Sequence, residues 1–500
     1  MKGIITVDIG TTSMRAILYD AAGRIVHVHQ RENAPQFFSD GRVEQAPQAW
    51  AGILVESLKA CADAAAETGI SPAGVAVTAQ RSSVIPVDAN GVPLHPAIMW
   101  QDRRTADLAQ AMQASNRLVY GKTGLKISPV FSAVKMTWLR HERPDLWRKT
   151  HKMIGIQDWV LYLLSGRFVT DHTFGSRTNL FDLRSRCWDA ELMALFEVDP
   201  AMLCDLVAPG SIVGGIVPSI AAATGLVAGL PVVSAGGDQQ CAALGLGLFS
   251  RQRAVSNTGT GSYLIGHADH PVFDEHMRLV CNVSAVPDAY IVEAAVLTSG
   301  AVYRWFHEAF YDRSTSFAEI DAEAAGAPAG SNGLLLLPHF KGCGAPYWDP
   351  QARGVFYNLN LSSTRGEMAR AILEGIVVEM RGSLDLIERL CGRVERVSVS
   401  GGMTRSDLFN QIQSDVFDRP VQRFGSNEAT SLGAWIAGAV AVGFESSYPA
   451  AFARAGEVDS ARSYTPNPAH RQVYDLQCGR ARALYEALAS TALRELFQEG

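Results

Sequence analysis

Apolar positions along this chain fall into short unbroken runs and into runs spaced at helical intervals, and their alternation predicts its elements. Residues 4–8, 17–20 and 25–28 are apolar stretches separated by tight turns, and they read as three successive strands. Trp50, Ile53, Leu54 and Leu58 recur at helical spacing and predict a helix over residues 47–68. Residues 75–78 and 97–100 read as further strands, each running into a polar cluster, TAQRSS at 78–83 and QDRRT at 101–105. Helices are expected over 132–140 and 153–165, the second stopped by Gly166. Residues 200–215 read as loop, and 230–235 as a short buried strand.

After residue 250 the opening pattern returns. A strand at 254–257, the turn TGTG at 258–261 and a strand at 262–265 repeat the strand, glycine-and-hydroxyl turn, strand order of the N-terminus. Strands at 280–284 and 289–293 follow, then a helix over 296–310 and an exposed alanine- and glycine-rich stretch at 318–330. Beyond these come a strand at 334–338, a long helix over 364–390 and a strand at 397–400. A helix carrying Leu408, Ile412 and Val416, a strand at 421–423, a small-residue helix over 429–442 and a tail helix over 471–497 complete the reading. The recurrence is a weak internal repeat, and it divides the chain into residues 1–248 and 249–500. A length of 500 residues independently calls for at least two domains.

Composition changes little in this picture. Hydrophobic content is 47% and charged content 19%, ordinary for a globular enzyme, and the net charge of −6 gives no general attraction to nucleic acid or to an anionic membrane. No apolar run reaches the ~18 residues of a membrane span. The N-terminus enters a strand without an apolar leader, and the eight cysteines form neither a CxxC pair nor a metal-spaced set with histidine. These features predict reduced thiols and a cytoplasmic protein.

The candidate chemistry centres on residues 236–247, GGDQQCAALGLG. A strand, a glycine turn and a helix start place Asp238 at a helix N-terminus, where amide N–H groups help hold it ionised. Such an Asp is either a helix cap or a general base. The turn at 8–13 joins Asp8, a glycine and three hydroxyls, with Arg15 close by. It suits either a plain hairpin or a phosphate cradle with Asp8 on Mg²⁺. Similar turns lie at 258–261 and 401–404. GKT at 121–123 is not a Walker A motif, because Asn116 stands where its first glycine belongs. No GxGxxG, HExxH or GxSxG is present, which disfavours a dinucleotide-dependent oxidoreductase. Three phosphate-type turns and one positioned Asp suit phosphoryl transfer.

With these segments in hand, the chain resembles the FGGY family of carbohydrate kinases over essentially its whole length. The resemblance rests on VDIGTTSMR at 7–15, AQRS at 79–82, IMWQDRRT at 98–105, SRTNLFD at 176–182 and GGDQQCAALGL at 236–246. It continues through NTGTG at 257–261, GAPYWDP at 344–350, the segment 401–415 and EATSLGA at 428–434. It implies an α/β fold of two actin-like ATPase (ribonuclease H-like) domains with a cleft between them. Sugar would bind in the N-terminal domain and ATP mainly in the C-terminal one. Asp238 matches the general base. Asp8 matches the metal- and phosphate-contacting Asp, with Thr11, Thr12 and Arg15 around the phosphate path. Thr258, Gly259 and Thr260 match the second phosphate loop. Gly401, Gly402, Met403 and Ser406 fall where the family holds adenosine, and Gly344 on a nucleotide-side loop. Arg81, Trp100 and Gln239 line the sugar or polyol pocket. The cofactors implied are ATP and Mg²⁺, and the partner is a small sugar or polyol, with no nucleic acid or membrane. The tail helix leaves a homodimer open.

The texture is nearest to glycerol kinases, yet two pocket positions depart. Ser82 stands where a Glu usually follows the Arg, and Val130 where a Tyr usually precedes Phe-Ser. Losing a carboxylate and a phenol removes partners for a small triol. The Gln-Met-His common in xylulokinases is also absent, replaced by Gln80-Arg81-Ser82. The expectation is a ketose kinase acting on D-xylulose, with glycerol or another polyol as the alternative. A non-enzymatic actin-like ATPase switch is a weaker reading, because SRTNLFD and IMWQDRRT suit a small-molecule pocket.

Overall fold

The computed structural model of the chain describes residues 1–425, 428–456 and 462–490. Its first strand, β1 (Lys2–Ile9), is buried at every position after Lys2. A strand apolar on both faces belongs in the middle of a sheet covered on both sides. That is where β1 lies, in a six-stranded sheet with β2 (Ser13–Asp20), β3 (Ile25–Glu32), β4 (Ser71–Ala79), β5 (Ser211–Gly215) and β6 (Pro231–Gly237). The order across the sheet is β5-β6-β4-β1-β2-β3. β1 runs antiparallel to β2 and parallel to β4, and β6 runs parallel to β4.

The second half repeats the plan. β7 (Arg253–Thr258), β8 (Ser262–Ala268), β9 (Val280–Val283), β10 (Tyr290–Val296), β11 (Arg396–Ser400), β12 (Val421–Arg423) and β13 (Arg462–Tyr464) form a seven-stranded sheet, ordered β9-β10-β8-β7-β11-β12-β13. β7 runs antiparallel to β8 and parallel to β11, as β1 does with β2 and β4. The weak repeat read in the sequence is thus a repeat of topology. Each half is an α/β unit built on a mixed sheet, as the expected two-domain fold requires.

Helices cover both sheets. α1 (Pro47–Thr68) starts on a proline at N1 and ends where Gly69 takes φ 67°, and its Trp50, Leu54 and Leu58 are fully buried. α2 (Ile156–Ser165) opens on Gly155, whose N–H donates to Asp158 at 2.8 Å. α3 (Asp238–Gly245) follows β6 directly, and α4 (Gly300–Phe310) follows β10 after a short turn. α5 (Arg365–Cys391) begins with a capping box between Thr364 and Glu367 and buries Ile372, Ile376, Met380, Leu384 and Ile387. α6 (Asp407–Phe417) follows the 401–404 turn. α7 (Ala429–Ala441), although late in the sequence, packs on the first sheet. Its Trp435, Ile436 and Ala437 share a core with Ile4, Ile17, Tyr19, Ala76 and Val233. α8 (Arg471–Leu488) lies near the end of the described chain.

The structure corrects several expected boundaries. Lys152–Ile154 is a strand, and the helix begins only after Gly155, because glycine breaks the apolar run that seemed continuous from 153. The stretch at 200–215 holds a 3₁₀ turn and two short strands rather than loop. β10 extends to Val296, so the helix expected from 296 starts at Gly300. Part of the alanine-rich stretch, Phe317–Gly326, is a helix capped by Ser316 and Glu319. Of the tail helix expected over 471–497, residues 491–497 lie outside the described residues. All eight cysteines are free, with Cys187 exposed and Cys478 half-buried. Among the described residues no helix is long and apolar enough to cross a membrane.

Candidate active site

Asp238 is the first residue of α3, and Gly237, not Asp238, occupies the N-cap. The carboxylate is therefore not spent on closing the helix. It accepts a hydrogen bond from the N–H of Gln239 at 2.8 Å, and 29% of its side chain stays accessible. Burial raises its pKa above the usual 3.8, against the pull of Arg81 and of the Gln239 N–H. The Gln239 N–H works in the expected direction, favouring the ionised form, while desolvation is the larger effect.

The turn that carries Asp238 is fixed from behind. The Gly237 N–H donates to Thr173 Oγ1 at 2.8 Å, and the Thr173 hydroxyl in turn donates to Asp171. The other oxygen of Asp171 accepts from Gln157 Nε2 at 2.7 Å and Ser234 Oγ at 2.6 Å. Every member of this chain is buried, so the network sets the position of the turn in low dielectric.

Arg81, two residues past β4, reaches Asp238 with Nε at 3.4 Å and Glu293 with Nη1 at 3.1 Å. Glu293 comes from β10 of the second sheet and also accepts from Asn282 Nδ2 at 3.1 Å. Arg177 lies 4.0 Å from the other oxygen of Glu293, and its guanidinium sits over the Phe131 ring. Burial opposes the charge on Glu293, but Arg81 and Arg177 hold its pKa below the ordinary value. Burial, followed by the neighbouring Arg81, brings Arg177 down to about 10. Two arginines and two carboxylates thus meet in one cluster joining the two sheets.

The first turn lies beside this cluster. Asp8 sits near the end of β1, and burial pushes its pKa up to about 7 although Arg15, 3.8 Å away, works against it. Thr11 donates to Gln80 Oε1 at 3.3 Å and accepts from the Trp100 indole N–H at 3.2 Å, which ties Trp100 to the first turn. Thr12 is exposed. Arg15 donates to Glu428, at the start of α7, at 2.6 Å.

Ser82 and Val130, the two departing positions, are joined by Lys135. Its Nζ, wholly buried, donates to the Ser82 carbonyl at 2.8 Å and to the Val130 carbonyl at 2.6 Å. Ser82 holds φ 67°, a left-handed backbone that a side chain adopts only under constraint. Its hydroxyl is directed to the Arg177 carbonyl at 3.5 Å. Gln239 is half-buried beside Asp238.

On the second sheet, Thr258 ends β7 buried, while Gly259 and Thr260 are exposed. The Gly259 carbonyl accepts from Gly300 N–H at 3.0 Å, so the 258–261 turn rests on the start of α4. Gly401 (φ 93°) brings the third turn against the second: a Cβ there would lie 2.5 Å from the Thr258 carbonyl oxygen. Gly401 and Gly402 line a cavity with Arg405, Arg423 and Phe424, and Met403 lies in the same turn. Ser406 caps α6 by accepting from the Phe409 N–H at 3.1 Å. Gly344 stands apart. It is buried, and a Cβ there would lie 2.0 Å from the Ala295 carbonyl oxygen of β10.

Sequence reasoning did not single out Glu293, Asn282, Thr173 or Lys135 as site residues. Glu293 had a usable signal, a lone carboxylate in the apolar strand YIVEAAV, since a charge on a buried strand needs a partner. Thr173 and Lys135 had none, because the contacts that matter, Thr173 to the Gly237 N–H and Lys135 to the Ser82 carbonyl, join positions 64 and 53 residues apart.

Comparison with known proteins places the chain in a family. Residues 3–245 match the N-terminal domain of the FGGY family of carbohydrate kinases, and residues 254–442 match its C-terminal domain. A glycerol kinase of Geobacter sp. (strain M21) is 34% identical over 452 residues, covering 87% of this chain and 89% of that protein. A glycerol kinase of Thermococcus kodakarensis is 32% identical, covering 89% of each. The crystal structure of xylulose kinase from Rhodospirillum rubrum superposes with a TM-score of 0.91 at 28% identity, covering 97% of this chain and 99% of that one. With both sheets, both halves of the sequence and the cleft accounted for, the chain belongs to the FGGY family of carbohydrate kinases and is an ATP-dependent phosphotransferase.

Proposed function

We propose that the substrate is a short linear polyol, glycerol or a four- or five-carbon homologue, phosphorylated on a terminal hydroxyl. The similarity to glycerol kinases, 32–34% identity over 87–89% of the chain, supports this alternative over the D-xylulose expectation. The observation that carries the reaction is Asp238, uncapped, raised in pKa and partly accessible beside Arg81. A ketose such as D-xylulose is the second reading. Ser82 and Val130 favour it, because they withhold two polar side chains from the pocket and leave room for a longer substrate.

In the proposed reaction Asp238 accepts the proton of the attacking hydroxyl. Arg81, Gln239 and Trp100 orient the polyol. The 258–261 turn and the hydroxyls of Thr11 and Thr12 receive the phosphates through N–H and O–H donors, and the cavity at Gly401 and Gly402 takes the adenosine. The residues present fit Mg²⁺. Asp8 is a buried carboxylate that a nearby cation would draw back to its charged form, and Mg²⁺ typically takes one or two protein carboxylates together with nucleotide phosphates. When bound it would neutralise charge on the phosphates. The division at 248/249 separates the strands of the two sheets, while α7 crosses it to pack on the first.

The test is a coupled ADP-release assay against glycerol, erythritol, ribitol, xylitol, D-xylulose and D-ribulose. Highest kcat/KM on a linear polyol supports the proposal, and highest kcat/KM on a ketose overturns it in favour of the second reading. ATP hydrolysis unaffected by all six would overturn both.

A further inference from the structure

The proposed reaction assigns no task to Glu293, although it is the best-connected carboxylate of the cluster joining the two sheets. It sits within β10, flanked by Val292 and Ala294, both buried. Its side chain is only 11% exposed. Burying a carboxylate in a strand is costly unless its charge and its lone pairs are met. Here they are met from both halves of the molecule. Arg81 lies at 3.1 Å and Arg177 at 4.0 Å from the first half, and Asn282 at 3.1 Å from the neighbouring strand β9. Arg177 also donates to Asn282 Oδ1 at 3.4 Å, which closes the group into a ring.

The geometry at Arg81 gives this ring a consequence. The guanidinium is planar, so fixing one edge fixes the direction of all its N–H groups. Nη1 is held by Glu293 while Nε lies 3.4 Å from Asp238. Without Glu293, Arg81 would have Asp238 as its nearest carboxylate and would turn toward the base. Glu293 and Asp238 therefore share one guanidinium, Glu293 holding Nη1 and Asp238 facing Nε.

We propose that Glu293 is a positioning residue for substrate recognition: from the second sheet it grips Arg81 and sets the guanidinium in the orientation that receives the substrate's hydroxyls. This rests on the kinase reading of the same site and adds that the substrate pocket is completed by a side chain of the nucleotide-side half. It also means that substrate affinity depends on the approach of the two halves, since Glu293 and Arg81 belong to different sheets.

The test is Glu293→Gln, which keeps the shape and removes the charge, assayed on the intact protein with ATP and whichever of the six compounds the wild type uses best. KM for that compound is expected to rise by roughly 30-fold or more, as for loss of one partner of a buried charge pair. KM for ATP should stay within about twofold. A double-mutant cycle supplies the readout that a merely structural role would not move: in an Arg81→Gln background the same change should leave the substrate KM where it is. If Glu293→Gln does not fold, Asn282→Ala removes a second hand from the carboxylate and should raise the same KM in the same direction, by less. An unchanged substrate KM, or equal losses toward ATP and substrate with no coupling to Arg81, would overturn the inference. If the wild type itself phosphorylates none of the six, the functional reading has failed, and this inference falls with it.

Discussion

Gly433 of α7 and Cys241 of α3 meet backbone to backbone: a Cβ on Gly433 would stand 1.8 Å from the Cys241 carbonyl oxygen. The contact is reciprocal along the crossing, for a Cβ on Gly245 would stand 2.0 Å from the Ala429 carbonyl. Asp238 begins one of these helices, and Glu428, the partner of Arg15, precedes the other. The spacing of the two helices therefore fixes how the first turn faces the base.

Gly433→Ala tests that dependence. Alanine favours helix over glycine by about 1 kcal/mol, so any loss of stability must come from the crossing. Overpacking of this kind costs about 1–3 kcal/mol. A lowered Tm and a kcat reduced on the order of tenfold are expected, and a more stable, fully active variant would show that the helices can separate freely.

Asp238→Asn should leave nucleotide binding intact while kcat falls by roughly 10²–10⁴, the usual worth of a positioned base. Calorimetry with a non-hydrolysable ATP analogue and steady-state turnover separate the two. In the proposed reaction Asp238 accepts a proton and so acts in its ionised form. Because burial raises this pKa, the acid limb of kcat/KM is expected above the ordinary Asp value of 3.8. A limb at or below that value would mean that another group, or the bound substrate, sets the charge.

Thr173→Val keeps the volume at this position but leaves the Gly237 N–H without its acceptor and deprives Asp171 of a donor. An unmet buried N–H costs about 1–3 kcal/mol. Thermal melting should register that loss, and kcat should fall with it, since Gly237 is the residue from which Asp238 projects.

Lys135 makes a prediction about pH. Burial brings its pKa from 10.5 to about 7. Between these values the unfolded chain binds more protons than the folded one, so this residue's contribution to stability rises as pH climbs from about 7 to about 10. Lys135→Met removes that slope, and it leaves the Ser82 and Val130 carbonyls unpaired. Melting curves at pH 7 and pH 9 for both proteins check the sign. A steeper rise in the variant would contradict it.

Much of this architecture is legible in the sequence where periodicity and turn chemistry agree. The helix over 47–68 has its proline, its apolar stripe and its terminal glycine, and the structure reproduces it residue for residue. The repeat at 254–265 is readable for the same reason, because it copies a local pattern. What escapes is whatever depends on the sheet bringing distant residues together. Glu293 and Arg81 are 212 positions apart, and nothing local in either segment names the other. The run at 153–165 misled because Met153 and Ile154 are as apolar as the helix they precede, and Gly155 alone marks the break.

That α7 closes one face of the first sheet has a consequence for the order of synthesis. The last strand of that sheet ends at Gly237, but its covering helix begins only at Ala429. A growing chain emerging at ~5–20 residues per second would leave that face bare for on the order of ten seconds or more. Ile4, Ile17, Ala76 and Val233 would be exposed to the surroundings throughout that time. The N-terminal half alone would then be a sticky intermediate rather than a domain that folds as it leaves the ribosome. A chain terminated before residue 429 should accumulate with chaperones or in aggregates.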